Sequence, residues 1–291
     1  MIIKPKFFDS FRCIASDCPD TCCAGWEIDV DEDTAEYYST LTGENGEYVR
    51  SKLRCEDSVQ LCREGERCPF LRGDNLCELI LRLGEGALCD ICREHPRFYS
   101  GSDGVTEVGV GLCCPEAARL WLTESCEFVY EDDGERMSAV EEETVARQLM
   151  LIRHITSGGG TLGERLARLI DDEPDAELYP KLRRLYTLLE ALDPSFAGGF
   201  SDAPVSVTDK RYIKLAAYFL FRYYFELGET LCIKFTAASL VMIAAMGGDL
   251  VTAAKDFSKE VEYDTDNLDR IYDFLSDCCG LAKLCREVLG G

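Results

Sequence analysis

Apolar residues recur at helical spacing through the second half of the chain and keep no steady period through the first. Val145, Leu149, Ile152 and Ile155 fall on one helical face, and Ser157-Gly158-Gly159-Gly160 ends that pattern. Thr161-Leu162-Gly163-Glu164 then has the form of a capping box, in which hydroxyl and carboxylate each satisfy a free backbone amide. Leu166, Leu169 and Ile170 follow on one face, and Leu178, Leu182, Leu185 and Leu189 mark the next helix. Beyond Asp193-Pro194, long periodic runs cover about 209–227 and 230–246, with shorter ones near 250–261 and 268–289.

Residues 1 to about 114 read differently. Their apolar segments are short and broken by Gly, Pro, Asp and Cys, the texture of a chain organised around ligands rather than around a periodic face. Local helices remain visible: Asp31 or Asp33 caps a short one through Tyr37 and Leu41 that stops at Gly43, and Pro115 stands where a first helical residue precedes 117–121. The expected fold class is mainly α, an irregular cysteine-rich metal-binding N-terminal module (1–126) followed by an all-helical region (127–291).

Cysteine content sharpens that division. Of 17 cysteines, 13 lie in residues 1–126. The N-terminus lacks the uninterrupted apolar run and small-residue cleavage site of a secretory signal, so a cytoplasmic protein is expected. In a reducing compartment, dense cysteine points to thiolate ligation of metal, and an odd total cannot pair wholly within one chain. Cys13, Cys18, Cys22 and Cys23 fall within eleven residues; Cys68-Pro69-Phe70-Leu71, Cys77, Cys89-Asp90-Ile91-Cys92 and Cys113-Cys114-Pro115-Glu116 follow. Soft sulfur suits zinc or iron-sulfur iron. Cys126, Cys232, Cys278, Cys279 and Cys285 sit on helical patterns and are expected to pack as small hydrophobes. His95, beside Pro96, reads as a structural hydrogen-bonding residue rather than a ligand.

Charge excludes some partners. With 31 Lys plus Arg against 54 Asp plus Glu, the formal charge is −23, a field that repels phosphate backbones and anionic lipid, so nucleic acid is not expected. The longest largely apolar stretch, 235–246, is 12 residues, too short to span a bilayer, and reads as a buried helix.

Taken together, the Cys-x4-Cys-x3-Cys-Cys-x2-Trp start at Cys13, Cys68-Pro69-Phe70-Leu71 with Cys77 nine residues after Cys68, Cys92-Arg93-x-x-Pro96-Arg97, and Cys114-Pro115-Glu116 resemble the flagellin lysine-N-methylase family. The likeness covers roughly the first 125 residues closely. Carried over residue by residue, it implies metal ligation by Cys13, Cys18, Cys22, Cys23, Cys68, Cys77, Cys92 and Cys114, while Cys55, Cys62, Cys89 and Cys113 are additional thiols of this sequence. It also implies methyl transfer from S-adenosylmethionine to lysines of flagellin or another lysine-bearing bacterial protein, with a 4Fe-4S cluster in the enzyme. Zinc is the alternative metal, and a non-enzymatic iron-sulfur or zinc-stabilised binding or redox-sensing module is the alternative function.

The residues themselves limit the mechanism. The radical signature Cys-x3-Cys-x2-Cys is absent, because Ala24 and Gly25 follow Cys22-Cys23, so polar methyl transfer is expected. Gly158-Gly159-Gly160-Thr161-Leu162-Gly163 formally matches a nucleotide-binding Gly-x-Gly-x-x-Gly, but a helical pattern rather than a strand precedes it, which makes it an interhelical turn. Arg93 and Arg97 are expected to pair with acidic groups of the chain. Among 54 acids and 13 tyrosines, sequence alone singles out no catalytic base and no residue for S-adenosylmethionine.

Overall fold

A computed structural model describes residues 1–55, 58–63, 65 and 67–291. The chain divides into two compact units, Arg12–Arg97 and a larger one formed by Met1–Phe11 with Phe98–Gly291.

Along the chain run β1 (Ile2–Pro5), α1 (Glu32–Thr40), α2 (Gly43–Arg50), β2 (Leu53–Cys55), β3 (Val59–Leu61), α3 (Glu78–Leu83), α4 (Asp90–Glu94), β4 (Arg97–Ser102), β5 (Val105–Val110), α5 (Pro115–Thr123) and β6 (Phe128–Glu131). They are followed by α6 (Ala139–Ser157), α7 (Leu162–Ala167), α8 (Leu178–Thr187), α9 (Tyr212–Met246), α10 (Leu250–Phe257), α11 (Thr265–Asp277) and α12 (Leu281–Val288).

In the Arg12–Arg97 unit, Asp31 is the cap that starts α1, its carboxylate accepting from the Thr34 amide at 2.9 Å. Strands β2 and β3 pair antiparallel, Leu53 opposite Leu61. The buried apolar core is small: Val30, Tyr38, Val49, Leu61, Phe70, Leu79, Ala87 and Cys89. The Tyr38 hydroxyl donates to the Ala87 carbonyl at 2.6 Å, tying α1 to the segment before α4. Partly buried apolar residues, Ile28, Leu41, Leu53 and Leu83 among them, pack against this core.

The larger unit carries a four-stranded sheet in the order β4-β5-β1-β6. β1 runs parallel to β5, with Ile3 opposite Glu107, and antiparallel to β6, with Pro5 opposite Phe128. The β4–β5 connection turns on Asp103-Gly104; Gly104 has φ +81°, and a Cβ there would lie 2.7 Å from the Arg136 carbonyl oxygen, so only glycine fits. Trp121 on α5 is fully buried, donating to the Val110 carbonyl at 2.7 Å and packing edge-on against Phe7 and Tyr218. Because β6 lies beyond residue 127, the C-terminal region is long and helical but not wholly helical, a correction to the expected all-α remainder.

The helices follow the apolar periodicity. Both α6 and α7 begin with reciprocal capping boxes, Ser138 with Glu141 and Thr161 with Glu164, and the glycine run 158–160 is the turn between them. The central element is α9, against which α5, α6, α7, α8, α10, α11 and α12 all pack. Gly228, at φ +68° and ψ 171°, breaks α9 into two arms. The second arm is buried continuously from Phe235 to Ala245, as expected for a helix apolar on every side. Among the described residues α9 alone is long and apolar enough to cross a membrane, with mean hydropathy 1.5, yet 72% of that window is buried inside the protein.

Candidate functional site

Three short segments of the Arg12–Arg97 unit bring thiols into one region. The Cys68 amide donates to the Cys23 carbonyl at 2.8 Å, and Ala24 bridges Arg67, so the Cys22-Cys23 loop lies along the start of the Cys68 turn. That turn closes through the Leu71 amide to the Cys68 carbonyl at 3.0 Å, then returns as Leu71 bridges Cys77 and the Glu78 amide reaches the Phe70 carbonyl at 2.8 Å. Cys77 immediately precedes α3, and Cys89 immediately precedes α4, where the Cys92 amide meets the Cys89 carbonyl at 3.1 Å.

Backbone amides point at these sulfurs. Phe70 and Leu71 donate to the Cys68 sulfur, Ile80 and Leu79 to that of Cys77, and Cys92 to that of Cys89. Amide donors of this kind favour the thiolate and are the usual surroundings of metal-bound sulfur. Opposing them, burial pushes the Cys68 thiol up to about 12, helped by the charges of Cys23 and Cys77. Burial likewise raises Cys77, and the charges of Cys23 and Cys89 act in the same direction.

Two thiol pairs divide their protons unequally. A hydrogen bond from Cys22 pulls Cys23 down to about 7 against the cost of burial, with Thr21 and the Arg67 charge assisting. In the second pair Cys92 donates to Cys89, so Cys89 falls and Cys92 rises, the latter raised further by burial and by the charges of Cys89, Cys23 and Cys68. The six sulfurs of Cys22, Cys23, Cys68, Cys77, Cys89 and Cys92 are thus linked by hydrogen bonds or by mutual repulsion of their charged forms. Thiols so placed ionise together only when a cation offsets that repulsion.

Cys13, Cys18 and Cys114 complete the sequence-derived set. Cys13 is exposed, its sulfur accepting from the Ala15 amide at 3.4 Å, and Cys18 is half-buried after a 3-10 turn at Ala15–Asp17. Cys114 belongs to the larger unit, where it precedes α5. Among the described residues no three Cys, His, Asp or Glu side chains stand in ligating geometry, so the thiols are gathered in a region without converging on one point. Cys89, an additional thiol by sequence, joins the gathered set. It is 2% exposed and paired with Cys92, and spacing alone cannot tell which member of a Cys-x2-Cys faces a given neighbour. Burial lowers His95 to about 4, so its imidazole is neutral.

No protein-family model matches the chain, and no solved structure matches it. Over 161 residues the chain is 26% identical to the flagellar biosynthetic protein FliU of Salmonella muenchen, an alignment covering 53% of this chain and 90% of that protein. Over 155 residues it is also 26% identical to the lysine-N-methylases of Salmonella typhimurium and Salmonella choleraesuis. Those alignments cover 50% of this chain but 36% of each methylase, so the chain matches about a third of their length. Over about half its length the chain is thus similar to proteins named lysine-N-methylase and to the flagellar biosynthetic protein FliU.

Proposed function

We propose that the chain is a cytoplasmic protein-lysine N-methyltransferase that transfers methyl groups from S-adenosylmethionine to flagellin or another lysine-bearing bacterial protein, and that its N-terminal thiols hold a 4Fe-4S cluster. The observation that carries the reading is the similarity to proteins named lysine-N-methylase and to a flagellar biosynthetic protein. The gathered sulfurs support its metal part, because they supply soft donors, amide hydrogen bonds to sulfur and mutual repulsion that a cation would relieve.

The candidate ligands are Cys13, Cys18, Cys22, Cys23, Cys68, Cys77, Cys92 and Cys114 from the family likeness, with Cys89 added by its place beside Cys92. A bound cluster would supply redox capacity and cross-link segments whose own core is small. The chain's part is to hold the thiols apart from bulk solvent: Cys89 is buried and Cys68, Cys77 and Cys92 half-buried around Tyr38 and Phe70. Zinc would use the same sulfurs.

Two measurements on anaerobically purified full chain test this reading: iron with acid-labile sulfide, and equilibrium binding of S-adenosylmethionine. Both are expected. Stoichiometric zinc without sulfide would overturn the cluster, and absence of S-adenosylmethionine binding would leave the metal-stabilised binding module in place of the enzyme.

A further inference from the structure

The larger unit buries an ion pair between α9 and the turn that follows α10. Glu262 ends a π-helical turn, Ser258–Glu262, that continues α10, and its side chain is 0% exposed. Three donors converge on one of its oxygens. Tyr218 and Tyr223 donate to Oε2 at 2.7 and 2.9 Å, and Arg222 Nη1 lies 3.1 Å from the same atom. Arg222 also donates to the Tyr218 oxygen at 2.6 Å. Burial holds both phenols well above their usual range, so they remain donors.

The other oxygen, Oε1, is equally buried and has no partner. An unmet buried acceptor loses its solvation without return and calls for an explanation. Around the pair stand aromatic faces: the Arg222 guanidinium carbon lies 4.8 Å from the Phe98 ring centre, 5.3 Å from Tyr223 and 5.4 Å from Tyr263. Phe98, Arg222 and Tyr263 are the half-buried members of the group. The π turn adds a second irregularity at the same residue, and such turns concentrate at functional sites.

We propose that Glu262 Oε1 is the acceptor for a side-chain primary amine, with Phe98, Tyr223 and Tyr263 as walls for its aliphatic stem. Resting on the lysine-methylase reading, this makes the Glu262 pocket the place where the target lysine is held. Arg222 already neutralises the carboxylate, so the pocket favours an uncharged amine that donates N–H to Oε1 and keeps its lone pair open, the form that can accept a methyl group. Tyr218 and Tyr223 fix the carboxylate so that Oε1, and not Oε2, faces the newcomer.

The test uses the full metal-replete chain and two probes of matched shape, N-acetyl-lysine methylamide and N-acetyl-norleucine methylamide, followed by calorimetry and by amide NMR shifts. The wild type is expected to bind the lysine probe, to ignore the norleucine probe, and to shift the Glu262 and Tyr263 signals. In Glu262→Gln the two phenols keep the amide oxygen at the Oε2 position and turn an N–H2 toward the ligand, so binding should fall at least tenfold, while the exposed control Glu287→Gln binds as wild type. Equal binding of the two probes, or none by the wild type, overturns the proposal without any variant, as does unaltered binding by a folded Glu262→Gln. Methyl transfer to flagellin with no amine binding at Glu262 would reject this site and leave the enzyme; amine binding without transfer would reject the enzyme and leave the site.

Discussion

Glu107 offers a quantitative test of the larger unit. It sits on β5 opposite Ile3, is fully buried, and accepts from Ser100 at 3.3 Å through Oε2, while its Oε1 has no partner. The neighbouring Gln148 spends its amide nitrogen on the Leu220 and Phe221 carbonyls at 3.3 and 3.2 Å, leaving its own oxygen unpartnered. One proton on Glu107 supplies the donor that these two oxygens lack. Burial accordingly raises Glu107 from 4.5 to about 8.

The folded state therefore holds a proton that the unfolded state releases between pH 4.5 and 8, and stability falls as pH rises through that window. The full shift corresponds to about 5 kcal/mol, and by pH 7 about 3 kcal/mol has been lost, at roughly 1.4 kcal/mol per unit. Glu107→Gln keeps the carbonyl for Ser100 and carries a permanent donor for Gln148. Urea unfolding of both proteins at several pH values, followed by the fluorescence of Trp121 in a Trp26→Phe background, should show the variant gaining on the wild type as pH rises from 5 to 8, with little or no gain at 4.5. Comparing the two cancels the pH dependence of the −23 background. Parallel pH profiles, or a variant equally weakened at every pH, would refute the assignment of the proton.

Other expectations follow from the packing and the thiols. Cys22→Ser and Cys68→Ser should lose bound metal while Cys232→Ser and Cys285→Ser retain it, read by metal analysis; the latter two are buried between helices, where burial raises Cys285 to about 12. Chelation should remove hydrogen-exchange protection from Arg12–Arg97 before α6–α12, because metal binding would add folding free energy to the unit with the smaller core. Gly163→Ala should destabilise the chain by about 1–3 kcal/mol in thermal unfolding, since the new methyl would run into the Cys285 carbonyl where α7 meets α12.

What sequence revealed depended on how local the controlling interaction was. The capping boxes at Ser138 and Thr161 are closed within four residues, and the apolar faces of α6 to α12 repeat over several turns, so most of the helical region was legible. The sheet was not. β1 is four residues long, too short to show a period, and its parallel partner β5 lies about a hundred residues away. Asp103-Gly104, between β4 and β5, is the one local hairpin signal in that sheet.

At the thiol region, spacing marked the segments that carry sulfur, but only folding showed Cys89 hydrogen-bonded to Cys92 and Cys23 joined through its carbonyl to Cys68. The Arg222–Glu262 pair left no trace in the sequence, because its members come from α9 and a π turn forty residues apart and form no motif. The break at Gly228 was visible only as a gap between two apolar runs; its positive φ explains why they are separate arms.

The central claim is methyl transfer to lysine. Metal-replete chain, labelled S-adenosylmethionine and flagellin from the same bacterium would be incubated together, and the label mapped by peptide mass spectrometry. The account predicts methyl groups on flagellin lysines, with transfer lost in Cys68→Ser and kept in Cys232→Ser. Unmodified flagellin from a chain that retains its metal would contradict it.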